Sequence, residues 1–423
     1  MSNLVKFIHA ADLHVDSPLR GLAAYEGAPV EQLRGATRDA VSALVQLAID
    51  QSVAFLIIAG DLFDGKWQDM RTGLWTAARF RDLERAGIQV FLLQGNHDAA
   101  SKVRQAIRWP ANVHVFSAKK PQTVRLDALG VALHGQGFAR EKVTEDLAAT
   151  YPDPVAGYFN IGVLHTSLSG SAEHDTYAPT RLPVLLNRAY DYWALGHIHA
   201  RSDPPIQETP FIAYSGNTQV RHANETVAKG CLLVSVEDGV LRDVEFQATD
   251  VLRWERVDIQ LDTDAGREEL LESIAERLSA CHEQMGDRML AARVVVQGAC
   301  DLHHLLSDSA ERSEIVAEIR NVANSMDHET WIEKIQFDTS PPVDVARLRQ
   351  GKDLIGQLVR GIEQTARDPQ MLAKLAETFQ PLGAKAGGEL GQIDVDLQDG
   401  EQLRYWIEQA KMQLLARLLE GHE

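Results

Sequence analysis

The sequence predicts a layered α/β domain with its strands inside, then a small α+β unit, then a helical C-terminal region. Three observations carry this reading. Over the first 250 residues short apolar runs alternate with amphipathic stretches, the pattern of helices packed on buried strands. Near Asp250 the pattern shifts to a strand–helix–strand repeat that runs to about residue 340. The paired prolines of SPPVD (340–344) then continue neither helix nor ladder, and helical periodicity follows. The expected domains are 1–250, 251–340 and 341–423.

In order, LVKFIHAA (4–11) reads as a strand, and residues 30–51 as a helix with Leu33, Val41, Leu44, Val45 and Ala48 at helical spacing. VAFLIIAG (53–60) is a continuous apolar run, as expected for a strand buried on both faces, and IQVFLLQG (88–95) reads as another buried strand. Between them a helix of about 72–86 stops at Gly87, in the manner of a C-terminal cap. Further strands are expected at 124–135, 158–166, 191–198, 211–217 and 229–238. The middle unit reads as strand (WERVDIQLD), helix (265–283), strand (ARVVVQGA), helix (309–326) and strand (WIEKIQFD). Helical stretches follow at 343–367 and 370–379, then a Gly-rich break, GAKAGGELGQ (383–392). The last helix, 399–420, carries an apolar stripe of Leu403, Ile407, Ala410, Leu414 and Leu418.

Composition sets the outer limits. The chain has 423 residues, 45% of them hydrophobic and 24% charged, which fits two or three globular domains. It has no apolar run near the roughly 20 residues that span a bilayer, so no membrane association is expected. The first residues enter a strand-like run without a signal-peptide core, which makes the cytoplasm the expected location. Cys231, Cys281 and Cys300 have no CxxC spacing, so neither a disulfide framework nor a zinc knuckle is expected. The net charge of −18 argues against a binder driven by bulk electrostatics alone. That acidity concentrates in 250–340, where 20 acidic residues face nine basic ones.

Five short motifs fall at the C-terminal ends of predicted strands. They are ADLH (Asp12, His14), AGDLFD (Asp61), QGNHD (Asn96, His97, Asp98), LHTS (His165) and GHIH (His197, His199). In extended chain, residues i and i+2 point the same way, so Asp12 with His14 and His197 with His199 can each converge. Each motif alone is ordinary turn chemistry. Turn chemistry does not account for five of them in strand-end register, where α/β sheets build their sites. Nitrogen and oxygen donors without thiolate suit Mn²⁺, Fe²⁺, Zn²⁺ or Co²⁺. The donors are too many for one ion and fit two, a pair that makes hydroxide at neutral pH and clamps an in-line phosphoryl displacement.

In this order the motifs D-x-H, G-D-x-x-D, G-N-H-D, H and G-H-x-H resemble the binuclear metallophosphoesterases. The wider stretches IHAADLHVDSPLRGL, IIAGDLFD, LLQGNHDA, YDYWALGHIH and SGNTQVRH resemble the SbcD-like DNA repair nucleases, especially their YhaO-like branch. The resemblance implies an α-β-β-α metallophosphoesterase domain, an α+β capping domain, and helices that dock a partner. It implies that Asp12, His14 and His199 hold one ion and Asn96, His165 and His197 the other, with Asp61 bridging. Mn²⁺ is the expected metal, His97 the catalytic histidine at the leaving oxygen, and Asp98 the residue that orients His97 by hydrogen bonding. DNA as substrate, an SbcC/YhaN-like coiled-coil ATPase and a homodimer follow from the same resemblance.

Several positions stay open. Asp64 sits where some relatives carry histidine, and a turn-stabilising role is the alternative. Arg221 and His222 are candidates to position a phosphate, with a surface ion pair as the alternative. ARFRDLER (78–85) and KVRQAIRW (102–109) either track a nucleic-acid backbone or are solvated helix faces. Two rivals to the nuclease stand: a phosphodiesterase or phosphatase for a small-molecule or protein substrate, which the acidic middle favours, and an inactive scaffold for the ATPase.

Overall fold

A computed structural model describes residues 3–17, 29–65, 69–100, 107–168, 177–222, 225–343, 345–391, 396 and 399–420. Most of KVRQAIRW, and the end of the IHAADLHVDSPLRGL stretch, lie outside these residues. By contacts the chain forms two units: residues 1–255, 282–291 and 328–333 make the first, and residues 256–281, 292–327 and 334–423 the second.

The first unit is built on two sheets. One has six strands: β1 (Leu4–Ala10), β2 (Phe55–Ala59), β3 (Gln89–Leu93), β4 (Val113–Val115), and the pair β10 (Gly230–Glu237) and β11 (Val240–Ala248). Their order is β11-β10-β1-β2-β3-β4, with β1 to β4 parallel and β10 antiparallel to β1. The other has five: β5 (Gln122–Leu126), β6 (Val131–Gly135), β7 (Phe159–His165), β8 (Tyr192–Gly196) and β9 (Phe211–Tyr214), in that order. Phe7, Phe55, Ile57 and Phe91 from the first sheet pack with Leu133, Ile161, Val163 and Tyr192 from the second. On the outer face of the first sheet, Ile8, Leu56, Ile58 and Val90 meet α1 (Val30–Asp50) and α2 (Met70–Arg85) through Val41, Leu44, Phe80 and Leu83. On the outer face of the second, Leu164, Trp193, Leu195 and Ile212 meet Leu185 of α4 (Leu182–Asn187). The layers are therefore α-β-β-α, and the continuous apolar runs are strands covered on both faces.

Local chemistry explains the ends. Asp69 caps α2 by accepting from the Arg71 amide at 2.9 Å. At the other end Gly87, with φ +75°, lets its own N–H reach Glu84 and that of Ile88 reach Leu83, a Schellman closure at the expected glycine. Two hairpins depart from the sequence reading. The run 124–135 is not one strand but β5 and β6, antiparallel across a turn. The strand at 230–237 turns back through Asp238 (φ +50°) and Gly239 (φ +78°) into β11, an Asp-Gly hairpin.

Strands β12 (Leu252–Gln260), β13 (Met289–Ala299) and β14 (Thr330–Ser340) form a third sheet, with α5 (Arg267–Met285) and α7 (Ser309–Asn324) between them in the chain. Short helices α3 (Asn96–Ala100) and α6 (His303–Ser307) complete the set up to residue 340. The C-terminal region has α8 (Val345–Gln350), α9 (Leu354–Arg367), α10 (Pro369–Gly391) and α11 (Gly400–Glu420). The stretch 343–367 is thus two helices, because Asp353 caps a new start by accepting from the Gly356 amide at 2.8 Å. The Gly-rich run 383–391 lies within α10 rather than breaking it. Leu354, Leu358, Ile362, Leu375, Phe379 and Trp406 line an apolar groove of about 800 Å³ among α9, α10 and α11. Among the described residues no helix is long and apolar enough to cross a membrane.

Candidate metal centre

Every motif lands at or just past a strand end. Asp12 and His14 follow β1, Asp61 follows β2, and Asn96, His97 and Asp98 open α3 after β3. His165 is the last residue of β7, and His197 and His199 follow β8. The backbone turns sharply there. Asp12 (φ +53°), His14 (φ +43°), Asp61 (φ +51°) and His197 (φ +106°) are all in conformations that L-residues rarely adopt. Such strain concentrates at functional sites, where the surroundings over-determine it. Here the turns are pinned by backbone bonds from Asp12 N to Gly60 O, and from His14 N to Asp61 O, each 3.0 Å. Glycines give the room. A Cβ on Gly60 would lie 2.2 Å from His165 Nδ1, and one on Gly95 would lie 2.2 Å from Asp61 Oδ1.

Two donor groups form. Asp12, His14 and His199 make one, and Asp12, Asp61 and His165 the other, with the candidate atoms of each group within 4.8 Å of one another. Asp61 Oδ2 lies 3.4 Å from His165 Nε2 and 4.0 Å from His14 Nε2, so it reaches toward both groups. His14 Nε2 and His199 Nε2 stand 3.2 Å apart, and Asn96 Oδ1 lies 2.9 Å from His165 Nε2. His197 stacks edge-on against His165 at 5.2 Å between ring centres, and its amide donates to Asp12 Oδ2 at 2.9 Å.

The residues fit divalent cations. Asp12 Oδ1 is buried with no hydrogen-bond partner among the described residues, and a buried carboxylate oxygen in that state is costly. Burial, aided by the Arg221 charge, holds His14 well below the usual imidazole range, so it is neutral and offers a lone pair. Burial tends to raise the Asp61 carboxyl, but His165 and then His97 outweigh it and bring it to about 2. In return Asp61 carries His165 up to about 9 against the effect of burial. Burial raises Asp12, while His165 and His199 oppose it. The set is oxygen and imidazole nitrogen without thiolate, the preference of Mn²⁺, Fe²⁺, Zn²⁺ and Co²⁺ rather than of a cysteine-bound structural zinc.

His97 stands beside this cluster, 5.0 Å from His14 between ring centres and partly exposed. Its orienting carboxylate is not Asp98. Asp64 Oδ1 lies 3.2 Å from His97 Nδ1, whereas Asp98 accepts backbone amides from Leu62 at 3.1 Å, Phe63 at 2.9 Å and Gly95 at 3.1 Å. The reason is helical geometry: α3 begins at Asn96, and successive helical side chains diverge by about 100°. Asp98 therefore ties the β2 loop to the β3 loop. Burial, and secondarily Asp61, push its carboxyl up to about 6 against those three N–H groups. The hydrogen bond of His97 drives Asp64 below the usual carboxylate range. Burial would lower His97, but Asp64 and then Asp61 raise it.

Arg221 joins the same corner. Its Nη2 lies 3.0 Å from Asp64 Oδ2 and 2.8 Å from Ser17 Oγ, and its Nε is buried without a partner among the described residues. It is an ion pair, as the alternative reading had it, but one set within the site. His222 points outward, its side chain 64% exposed and 3.9 Å from Glu225. Glu225, Asn217 and Lys229 lie around His199. Asn217 and Lys229 fall in stretches read only as strand, and Glu225 was not legible, since the irregular segment that carries it has no periodicity. In ARFRDLER, Arg79 and Arg85 pair with Asp82 on α2 at 3.1 and 2.9 Å.

The two-sheet core and this strand-end cluster define a metallophosphoesterase. The calcineurin-like phosphoesterase family matches residues 5–201, and the middle domain of metallophosphoesterase YhaO matches residues 254–340. The chain is 30% identical over 345 residues to the uncharacterized metallophosphoesterase YhaO of Bacillus subtilis (strain 168), covering 81% of this chain and 84% of that one. It is 26% identical over 278 residues to the DNA double-strand break repair protein Mre11 of Methanopyrus kandleri, 60% of this chain and 58% of that one. With Mre11 of Halobacterium salinarum it shares 24% identity over 388 residues, 88% of this chain and 89% of that one. The chain belongs to the calcineurin-like metallophosphoesterases that carry a YhaO middle domain, and is a metal-dependent hydrolase.

Proposed function

We propose that this chain is a DNA nuclease that hydrolyses phosphodiesters with two divalent cations, Mn²⁺ foremost. The observation that carries phosphodiester hydrolysis is the corner where His97, Asp64 and Arg221 meet beside the two donor groups. DNA as the substrate is supported by the Mre11 relatives.

In this reading Asp12, His14 and His199 hold one cation and Asn96, His165 and His197 the other, with Asp61 between them. When bound, the pair supplies Lewis acidity at the phosphoryl oxygens and an activated water. The chain's own residues do the rest. Arg221 faces the non-bridging oxygens, as guanidinium does at phosphates. His97, kept protonated by Asp64 and Asp61, delivers a proton to the leaving oxygen. Asp64 positions both His97 and Arg221, and Asp98 acts through the loops that set Asn96 and His97. His222 lies at the rim of the phosphate site.

The same reading divides the chain into a catalytic domain (1–250), a capping domain (251–340) and a docking region (341–423). The apolar groove of α9 to α11 suits a helix of an SbcC/YhaN-like coiled-coil ATPase, and the working form is a homodimer in the cytoplasm. One observation favours a small-molecule phosphodiesterase instead: two arginines of ARFRDLER are paired with Asp82, which weakens that stretch as a backbone track.

The test is hydrolysis of double- and single-stranded DNA and of bis(p-nitrophenyl) phosphate with Mn²⁺, by the wild type and by His97→Ala. DNA cleavage that falls about 10²–10⁴-fold in the variant, the usual range for a lost general acid, supports the nuclease. Turnover of the generic ester with no DNA cleavage under any metal moves the assignment to the small-molecule enzyme.

A further inference from the structure

Glu225 belongs to none of the metal motifs, yet its carboxylate is shared by three hydrogen-bond partners beside the cluster. Oε1 lies 2.9 Å from His199 Nδ1. Oε2 accepts from Asn217 Nδ2 at 2.9 Å and from the Arg221 amide at 2.9 Å. Lys229 Nζ, its side chain only 4% exposed, sits 3.7 Å away and donates to the His199 carbonyl at 3.0 Å. Glu225 is itself 10% exposed on its side chain. Two of the groups it holds belong to the candidate site: His199, and Arg221 through its backbone amide.

We propose that Glu225 is a positioning residue that locks His199 in the Nδ1–H tautomer and fixes the start of Arg221, so that one carboxylate sets a metal-facing imidazole and the phosphate-facing guanidinium together. The inference rests on the metal reading of Asp12, His14 and His199. An ionised carboxylate only accepts, so every group around it must donate. Asn217 Nδ2 and the Arg221 N–H donate by their chemistry, and His199 must then carry its proton on Nδ1. In the neutral ring the lone pair is then on Nε2, the atom 3.2 Å from His14 Nε2. A ring nitrogen fixed by a carboxylate behind it is how metal-binding imidazoles are commonly oriented and made more basic.

The chemistry makes Glu225→Gln a sharp test. A carboxamide has one accepting oxygen and one donating NH₂. If the oxygen serves Asn217 and Arg221, the NH₂ faces His199 and stabilises the opposite tautomer, which puts a proton on Nε2. If the oxygen serves His199, the NH₂ opposes two N–H donors and the Arg221 backbone is pushed away. No orientation preserves both. Glu225→Asp keeps two acceptors and retains the tautomer.

Two measurements decide it. In the chelator-treated full chain, ¹⁵N-labelled histidine spectra, with His199→Gln used to assign the signal, report which nitrogen of His199 carries the proton. Calorimetric titration with Mn²⁺ alone reports affinity and stoichiometry. We expect Nδ1–H in the wild type and in Glu225→Asp, a changed tautomer or a displaced Arg221 in Glu225→Gln, and Mn²⁺ affinity weaker by about 10–100-fold in Glu225→Gln, the range for lost partners of metal ligands. A structural staple alone would lower the melting temperature of the chelated protein without moving the tautomer. An Nε2–H tautomer in the wild type overturns the proposal whether or not the glutamine variant folds. So does wild-type Mn²⁺ affinity in a folded Glu225→Gln. A wild type that binds no Mn²⁺ sinks the metal reading instead, and the tautomer then decides the role of Glu225 by itself.

Discussion

Asp64 and Asp98 are separate tests of one motif-based expectation. Adjacency in GNHD suggested that Asp98 steers His97, but three backbone amides claim Asp98 while Asp64 takes the imidazole. The two substitutions therefore separate. In Asp98→Asn one oxygen becomes NH₂ and meets at least one N–H head-on, leaving a buried amide unsatisfied at a cost of about 1–3 kcal/mol. Denaturant unfolding of the chelated protein should show that loss. Asp64→Asn gives up an acceptor of the His97, Ser17 and Arg221 donors and should also cost about 1–3 kcal/mol, but it alone should lower turnover by about 10-fold or more with little change in metal affinity. Equal losses of turnover in both variants would return the steering role to an undivided network. The motif pointed to this corner; it did not show which carboxylate faces which group, because that depends on where α3 starts and how its first turn rotates.

At the scale of elements the legibility of the fold follows burial. The strands β1, β2, β3, β7 and β8 were readable because most of their residues are covered on both faces, so apolar residues dominate their sequences. β11 was not: its mixed, partly exposed residues (VLRDVEFQA) resemble surface chain, and only the Asp-Gly turn before it gave a signal. The Gly-rich part of α10 misled in the other direction, since glycine lowers helix propensity by about 1 kcal/mol without forbidding the helix. The strand-end turns that build the site make a prediction of their own. Gly60 has φ +104° and no space for a Cβ, which would meet the His165 ring at 2.2 Å. Gly60→Ala must pay for the backbone conformation, about 1–2 kcal/mol, and for the collision, about 1–3 kcal/mol. His165 yields by turning, so the variant should lose stability in urea and bind Mn²⁺ more weakly at the same time. Gly130→Ala, also at positive φ (+65°) but with open space around it, should bear the backbone cost without touching metal affinity. Unaltered Mn²⁺ binding in a destabilised Gly60→Ala would mean that the close approach of β2 to His165 does not shape the centre.

For the molecule as a whole, composition read as that of a globular, acidic chain, while the way the two sheets of the first unit are locked together appears only in the structure. His9 is the clearest instance. It lies on β1, fully buried, with Nδ1 3.0 Å from the Tyr192 hydroxyl and Nε2 3.1 Å from the Leu195 carbonyl, both on β8 of the other sheet. The neutral ring satisfies both neighbours, accepting from the hydroxyl and donating to the carbonyl, whereas an imidazolium would have to donate to Tyr192 as well. Burial accordingly lowers its pKa from 6.5 to about 4, with the Leu195 carbonyl opposing. The linkage has a definite sign. Between about pH 4 and 6.5 the unfolded chain holds a proton on His9 that the folded chain refuses, so acid favours unfolding there. The contribution is complete above pH 6.5, falls as pH drops, and is lost by about pH 4. At 1.36 kcal/mol per pKa unit the span is about 3 kcal/mol. Denaturant melts of the chelated protein at half-unit steps should therefore show stability falling through this window. His9→Gln, which still donates to one neighbour and accepts from the other, should start lower at pH 7 by about 1 kcal/mol and decline less steeply on acidification. The test lies in the difference between the two curves, which cancels other titrating groups: parallel curves between pH 7 and 4 would remove His9 from the acid sensitivity, and with it the idea that this inter-sheet lock depends on a neutral imidazole.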